Sequence, residues 1–113
     1  MLFGEILAEL RQDKGLLQKD IAALINVSVS TISNYETGAH FPDINTVIVL
    51  ADYFNISIDY LLGRTVFRMK FSDLNKSLND NMDVAKLMNK VLSYDEKNIG
   101  SLLDFMSLLD LRK

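Results

Sequence analysis

The sequence predicts an all-α protein, with five short helices in residues 1–64 followed by a small C-terminal helical segment. Three observations favour this class. Apolar residues recur at helical spacing along most of the chain, and residues that favour helix ends separate these stretches. Only one proline occurs, and Leu and Ile are abundant. A length of 113 residues is enough for one ordinary domain with a real core.

Three helices are predicted in the first third of the chain. The first covers about residues 2–14 and ends before Gly15, which suits a left-handed C-terminal cap. The second covers residues 18–25, and the third covers residues 29–36 with Ser28 as its N-cap. A turn of only a few residues joins the second helix to the third. The positions expected to face a shared core are Phe3, Ile6, Leu7, Leu10, Ile21, Ala22, Leu24, Val27 and Ile32.

Two further helices complete the first part of the chain. Asp43 can cap a fourth helix over residues 44–54, and Ser57 can cap a short fifth helix over residues 58–62. Gly63 is expected to end the fifth helix. The residues assigned to the core in these two helices are Val47, Leu50, Ala51, Phe54, Tyr60, Leu61 and Leu62.

Residues 65–82 are predicted to form a linker between the two helical parts. Apolar and basic residues alternate over residues 66–71, and this pattern is typical of an extended stretch or a short strand. The rest of the linker is polar and rich in Asn. Leu74 and Leu78 indicate no more than a helical turn or two.

Two helices are predicted in residues 83–113, which we assign to a C-terminal helical hairpin. The first covers residues 83–92 and carries an apolar stripe. Ser93 and Glu96 have the spacing of a capping box, so we expect Ser93 to begin a last helix that runs to about residue 111. That helix is apolar on most of its sides, and such a helix needs more than one neighbour.

The composition excludes several classes of function. Cysteine is absent and His40 is the single histidine, so disulfides, thiol nucleophiles and zinc fingers are excluded. No carboxylate pair, activated nucleophile or phosphate-binding glycine loop indicates an enzyme, and no metal or cofactor is predicted. No apolar run approaches the roughly 18 residues of a membrane span, and the first residues do not resemble a signal peptide. We therefore expect a cytoplasmic protein with no membrane partner.

The order and spacing of residues 10–63 resemble a known family. The matching positions are Leu10-Arg11, Lys14-Gly15-Leu16, Gln18, Ile21-Ala22, Val27-Ser28, Thr31-Ile32-Ser33, Tyr35-Glu36, Gly38, Pro42, Leu50-Ala51, Phe54 and residues 58–63. Over about residues 2–64 the chain resembles the Cro/C1-type helix-turn-helix family, also called the Xre family. These are the DNA-binding domains of many phage repressors and bacterial regulators. The resemblance implies a five-helix, lambda-repressor-like fold whose third helix can lie in the major groove of double-stranded DNA.

The resemblance also implies which residues contact DNA. Asn34 is the best base contact, because an amide can pair with adenine N6 and N7. Val29 offers only an apolar contact, most naturally to a thymine methyl, and Gln18 matches a residue that lies against the phosphate backbone. The other implied contacts are the base-facing Ser30, the cap Ser28, the rim residues Thr31 and Ser33, and the loop residues Thr37 and His40.

Arg11 and Glu36 match a basic and an acidic position that pair in the family. We interpret them as a structural tie between the first and third helices. The alternative is that an exposed Arg11 reaches a phosphate.

Two features depart from the family pattern. Leu17 stands where the family has a small polar cap for the second helix, and the third helix carries no Arg or Lys. Residues 1–64 hold four basic and eight acidic residues. Because basic side chains on phosphates supply most sequence-independent affinity, we expect modest non-specific binding and a shallow salt dependence.

Two classes of function are compatible with these observations. The favoured one is a sequence-specific transcriptional regulator, a repressor that binds a near-palindromic operator as a homodimer through its C-terminal helices. The alternative is an antitoxin-type or other protein-interaction module on the same fold, with weak or lost DNA binding and a protein partner on those helices. An intrachain core, or a ligand pocket lined by methionines, would also use the C-terminal apolar residues.

Overall fold

The computed structural model describes residues 2–112, which form seven α-helices, one 3₁₀ helix and a two-stranded antiparallel sheet. The mostly helical prediction is therefore confirmed. The chain divides into two units, the first ending at Lys70 and the second beginning at Phe71. None of the described helices is long and apolar enough to cross a membrane.

Five helices make up the first unit, and each lies within one or two residues of its predicted bounds. They are α1 Phe3–Asp13, α2 Gln18–Ile25, α3 Val29–Thr37, α4 Ile44–Tyr53 and α5 Ile58–Leu61. The predicted caps Ser28, Asp43 and Ser57 each accept a hydrogen bond from the backbone N–H three residues on. These bonds satisfy donors that the first turn of a helix would leave without a partner. At Asp43 the bond from the Thr46 backbone N–H lowers the pKa of the carboxyl group.

One apolar core holds the first unit together. Its buried side chains are Phe3, Ile6, Leu7, Leu10, Ile21, Ala22, Ile32, Val47, Leu50, Ala51, Phe54, Ile56 and Leu61. The prediction that Leu24 faces the core is wrong, because 40% of that residue is exposed. The buried face of α2 is centred on Ile21, Ala22 and the half-buried Ile25. At about 100° per residue, Leu24 falls beyond the edge of that face.

Residues 65–70, predicted as linker, pack on the first unit. The Ser57 backbone N–H donates to the Arg68 carbonyl at 2.9 Å. The Arg68 guanidinium lies 5.0 Å from the centre of the Tyr60 ring, and Lys70 Nζ lies 3.2 Å from Asp52 Oδ1. Basic side chains therefore attach this segment to α4 and α5.

The strand that alternation suggested for residues 66–71 does not form. The backbone of residues 66–70 pairs with no other strand, and its carbonyls at Phe67 and Arg68 accept from Ser57. Alternation usually places apolar side chains inward, but here the basic members contact the domain. Phe67 and Met69 are exposed. Period two gave no information about a pairing partner.

The second unit begins with a 3₁₀ helix, Phe71–Asn75, which includes Leu74, one of the two residues that indicated a helical turn. It continues with β1 Ser77–Asn79 paired antiparallel to β2 Met82–Asp83, then α6 Val84–Leu92 and α7 Glu96–Asp110. The polar residues of β1 and β2 gave no strand signal. The 3₁₀ helix and β2 are the principal neighbours of α6, whereas the sequence suggested α7.

The capping box predicted at Ser93 and Glu96 is wrong. Asp95 is the N-cap of α7, and its Oδ1 accepts from the Asn98 backbone N–H at 2.8 Å. Ser93 instead ends α6, where its Oγ donates to the Lys90 carbonyl at 2.6 Å. Asp and Ser are comparable N-caps, so the helix begins at Asp95 because the Ser93 hydroxyl already serves the preceding helix.

A glycine permits the close approach of α1 to α3. A Cβ added at Gly4 would lie 2.5 Å from the carbonyl oxygen of Glu36 and closer still to that of Tyr35. Both neighbours are backbone atoms, which cannot rotate away as a side chain can. The spacing of α1 from α3 therefore depends on the missing side chain at residue 4.

Gly4→Ala should destabilise the protein by about 3 kcal/mol, the upper end of the usual cost of overpacking. Urea unfolding followed by circular dichroism measures this change. Gly100→Ala in α7 is the matched control, since nothing lies within 4 Å of a Cβ there. The control should be neutral or stabilising by up to about 1 kcal/mol. Equal stability of the two variants would contradict the assigned role of Gly4.

Candidate nucleic-acid interface

A short, fixed turn joins α2 to α3. Asn26 ends α2 in the left-handed conformation with φ 57°, and the Val27 N–H donates to the Ala22 carbonyl at 2.9 Å. Ser28 then caps α3. Ala22 and Ile32 are buried where the two helices contact the core. This arrangement is a helix-turn-helix, in which the second helix can enter a major groove.

One face of α3 is polar and accessible. Ile32 is fully buried, so the residues on the opposite side of the helix face outward. At about 100° per residue, that side carries four of the predicted contacts, namely Ser30, Ser33, Asn34 and Thr37, whereas Val29 lies only about 60° from Ile32. These four residues are exposed or half-buried, and Val29, in the first turn, is 47% exposed. The structure thus brings most of the predicted base-facing residues onto one surface.

Hydroxyl groups cluster at the N-terminus of α3. Ser28 Oγ accepts from the Thr31 backbone N–H at 3.1 Å. The same oxygen lies 3.0 Å from Ser30 Oγ and 2.8 Å from Thr31 Oγ1. The helix dipole favours anions near such a terminus, and the hydroxyl groups add donors beside it.

The loop after α3 is attached to Asn34. The carbonyl oxygen of Asn34 accepts from the His40 N–H at 3.1 Å and from Thr37 Oγ1 at 3.3 Å. The side chains also meet, since Asn34 Nδ2 lies 3.4 Å from His40 Nδ1. His40 is exposed, so the structure places it at the edge of the polar face of α3.

A buried ion pair joins α1 to α3. Arg11 Nε and Nη2 donate to the two carboxylate oxygens of Glu36 at 2.7 and 3.0 Å, and Arg11 Nη1 donates to the Leu16 carbonyl at 2.9 Å. The side chains are only 12% and 8% exposed. Hydrogen bonding to Glu36 raises the pKa of Arg11. The structural interpretation of this pair is therefore confirmed.

Gln18 belongs to the same network. Its Nε2 donates to Glu36 Oε1 at 3.0 Å, so α2 is joined to α1 and α3 through one carboxylate. The bond uses one of the two N–H donors of the Gln18 amide. The second donor is available to a phosphate only in the orientation that Glu36 imposes.

Helix α2 begins without a side-chain cap at Leu17, as the departure from the family pattern suggested. The carboxylate of Asp20 compensates in part, because its Oδ2 accepts from the Leu17 backbone N–H at 2.7 Å. This is the second half of a capping box without the first half.

Lys19 is a further exposed cation beside the candidate interface, which the sequence did not single out. Among the six basic side chains of residues 2–70, Lys19 alone makes no ion pair or ring contact, and it is exposed in the first turn of α2 beside Gln18. The other five are engaged in contacts, which involve Arg11, Lys14, Arg64, Arg68 and Lys70. The sequence signal that could have identified Lys19 is its position directly after Gln18, a predicted phosphate contact.

This core and this outward-facing polar helix define a DNA-binding helix-turn-helix protein. Residues 7–61 match the helix-turn-helix family. Over 88 residues the chain is 38% identical to the HTH-type transcriptional regulator ImmR of Bacillus subtilis, spanning 76% of this chain and 69% of ImmR. The chain belongs to the Cro/C1-type (Xre) helix-turn-helix family, whose members are DNA-binding transcriptional regulators rather than enzymes.

Solved structures share the fold. A transcriptional regulator from Listeria innocua superposes with a TM-score of 0.55 and 27% identity, covering 96% of this chain and 92% of that one. The P22 c2 repressor, solved in complex with a synthetic operator, has a TM-score of 0.54 and 26% identity. That superposition covers 57% of this chain and 98% of the repressor.

Arg11→Met should destabilise the fold by on the order of 3 kcal/mol, because it leaves the Glu36 carboxylate nearly buried without its cation. The double variant Arg11→Met/Glu36→Leu should lie much closer to wild type, since no uncompensated charge remains. Urea unfolding of both variants makes the comparison. A double variant that is less stable than Arg11→Met would contradict this account.

Proposed function

We propose that the protein is a transcriptional repressor that occupies a near-palindromic operator as a homodimer. The observation that carries the DNA-binding part is the polar face of α3, turned outward from a core that buries Ile32 completely. The major groove admits a helix with such a face. Occupation of an operator by a dimer would exclude polymerase from the same DNA.

The contacts divide into two kinds under this proposal. Asn34, with Val29 and Ser30, contacts base edges in the groove. The residues proposed to fix the position on the backbone are Gln18, Ser28, Thr31, Ser33, Thr37 and His40, to which we add the exposed Lys19. Contacts to phosphates position a protein on DNA, and contacts to bases specify the sequence.

The second unit supports the proposed dimer, because it has too little core of its own. No side chain between residues 71 and 112 is buried. On α7, Leu102, Phe105, Met106 and Leu109 stand at spacings of three and four residues and form one stripe. Phe105 and Met106 are 58% and 50% exposed. A second copy of the chain would cover this stripe, and two-fold symmetry would match the symmetry of a near-palindromic operator.

The charge distribution favours a second candidate function. The absence of Arg and Lys from α3 and the excess of acidic residues in residues 1–64 reduce attraction to phosphates. An antitoxin-type or other protein-interaction module would tolerate this balance, with its partner on the apolar stripe of α7. Direct measurement of DNA binding separates the two candidates.

Selection from a pool of random DNA duplexes by the full chain should enrich a site with two related halves. Asn34→Ala should lose about 1–3 kcal/mol of binding to that site and relax the preference at one base pair in each half. Gln18→Ala should weaken binding to all sequences by a similar factor, because it removes a phosphate contact. Electrophoretic shifts at low and moderate salt measure both effects.

Two results would contradict the proposal. Failure of the wild-type chain to enrich any sequence at low salt would favour the protein-interaction module. Loss of affinity by the same factor on every sequence in both variants would show that Asn34 is not a base contact.

Met106→Glu should yield a folded monomer that no longer binds the selected site, because a buried charge without a partner is costly. Sedimentation velocity gives the oligomeric state, and circular dichroism gives the helix content. Ser107→Glu is the matched control, since Ser107 is exposed and lies away from the stripe. The control should remain dimeric. A wild-type chain that sediments as a monomer at about 10 μM would rule out the dimer that we propose.

A further inference from the structure

The side chain beside the principal base contact is a histidine ring. His40 Nδ1 lies 3.4 Å from Asn34 Nδ2, and the His40 backbone N–H donates to the Asn34 carbonyl at 3.1 Å. The backbone bond fixes the start of the His40 side chain relative to α3. The ring therefore stays within reach of the Asn34 amide.

The two ends of the Asn34 amide are chemically different. Nδ2 can only donate, and Oδ1 can only accept. A bidentate pair with adenine needs both ends in a defined order, because N6 of adenine donates and N7 accepts. Rotation of the amide by 180° about its last side-chain bond would exchange the two ends and present the wrong group to each atom. Anything that fixes the amide orientation thus affects which base is preferred.

We propose that His40 is a positioning residue for sequence specificity, which holds the Asn34 amide in the orientation that pairs with adenine. This inference rests on the proposed function, in which Asn34 contacts a base. Because Nδ2 is a donor, His40 Nδ1 accepts, and the proton of the neutral ring is on Nε2. One N–H of Asn34 is then occupied by His40. Its second N–H and Oδ1 are directed to the base.

The free protein provides the first test. Long-range proton–nitrogen correlation spectra of the full chain at neutral pH should show His40 with the proton on Nε2 and a bare Nδ1. The opposite tautomer would overturn the proposal, because Nδ1–H and Nδ2–H are both donors. This measurement needs no DNA, so it is independent of the proposed function.

Base preference provides the second test, with duplexes chosen by the wild-type chain from the random pool. His40→Phe keeps a ring but removes the acceptor. The preference for A·T at the position that Asn34 contacts should fall at least about fivefold in this variant, as it should in Asn34→Ala. His40→Asn is the conservative variant, because its Oδ1 can occupy the place of Nδ1 and accept the same bond. It should retain the preference.

The outcomes distinguish the positioning role of His40 from the base contact of Asn34. If Asn34→Ala relaxes the preference and His40→Phe does not, His40 is not a positioning residue and Asn34 remains a base contact. A uniform loss of affinity in His40→Phe, with the preference intact, indicates that His40 acts only as the phosphate contact proposed above, and it also overturns the positioning role. If Asn34→Ala leaves the preference unchanged, both the positioning role and the assignment of Asn34 fail.

Discussion

The geometry of the first unit depends on the hydrogen bonds that the Glu36 carboxylate accepts. It accepts from Arg11 of α1 and from Gln18 of α2, and it belongs to α3 itself. Three helices are thus fixed by one side chain that is 8% exposed. Buried ion pairs add little net stability compared with apolar packing, but they impose a specific geometry in some systems. Here that geometry is the orientation of α3 relative to α1 and α2.

The same network limits how the protein can attract DNA. Arg11 is nearly buried and its charge is neutralised by Glu36. Lys19 is the cation among residues 2–70 without an ion pair or ring contact, and the acidic residues of residues 1–64 outnumber the basic ones, so we expect weak attraction to phosphates. Short polar side chains and a helix terminus supply the remaining donors. Under the proposed function, affinity would therefore come from base contacts and from the doubling of contacts in a dimer.

Most of the first unit could be predicted because its signals are local. Ser28, Asp43 and Ser57 each cap the helix expected of them. The predictions failed where two local signals competed or where the partner was distant. Asp95 caps α7 in place of Ser93, because the Ser93 hydroxyl donates to the Lys90 carbonyl of α6. No local pattern could show that residues 65–70 bond to Ser57, since that contact depends on the completed fold.

The position of the candidate interface on the fold was predictable to a similar depth. The family resemblance placed nine contacts, and the buried Ile32 orients most of the α3 residues among them outward. The family resemblance gave no information about contacts between those side chains, such as the contact of Asn34 with His40. These two residues are six positions apart, and a turn after α3 brings them together. A base contact that is held by a neighbour loses less conformational entropy on binding than a free side chain does. In a protein with few cations, this smaller loss of conformational entropy would strengthen the sequence-specific part of the affinity.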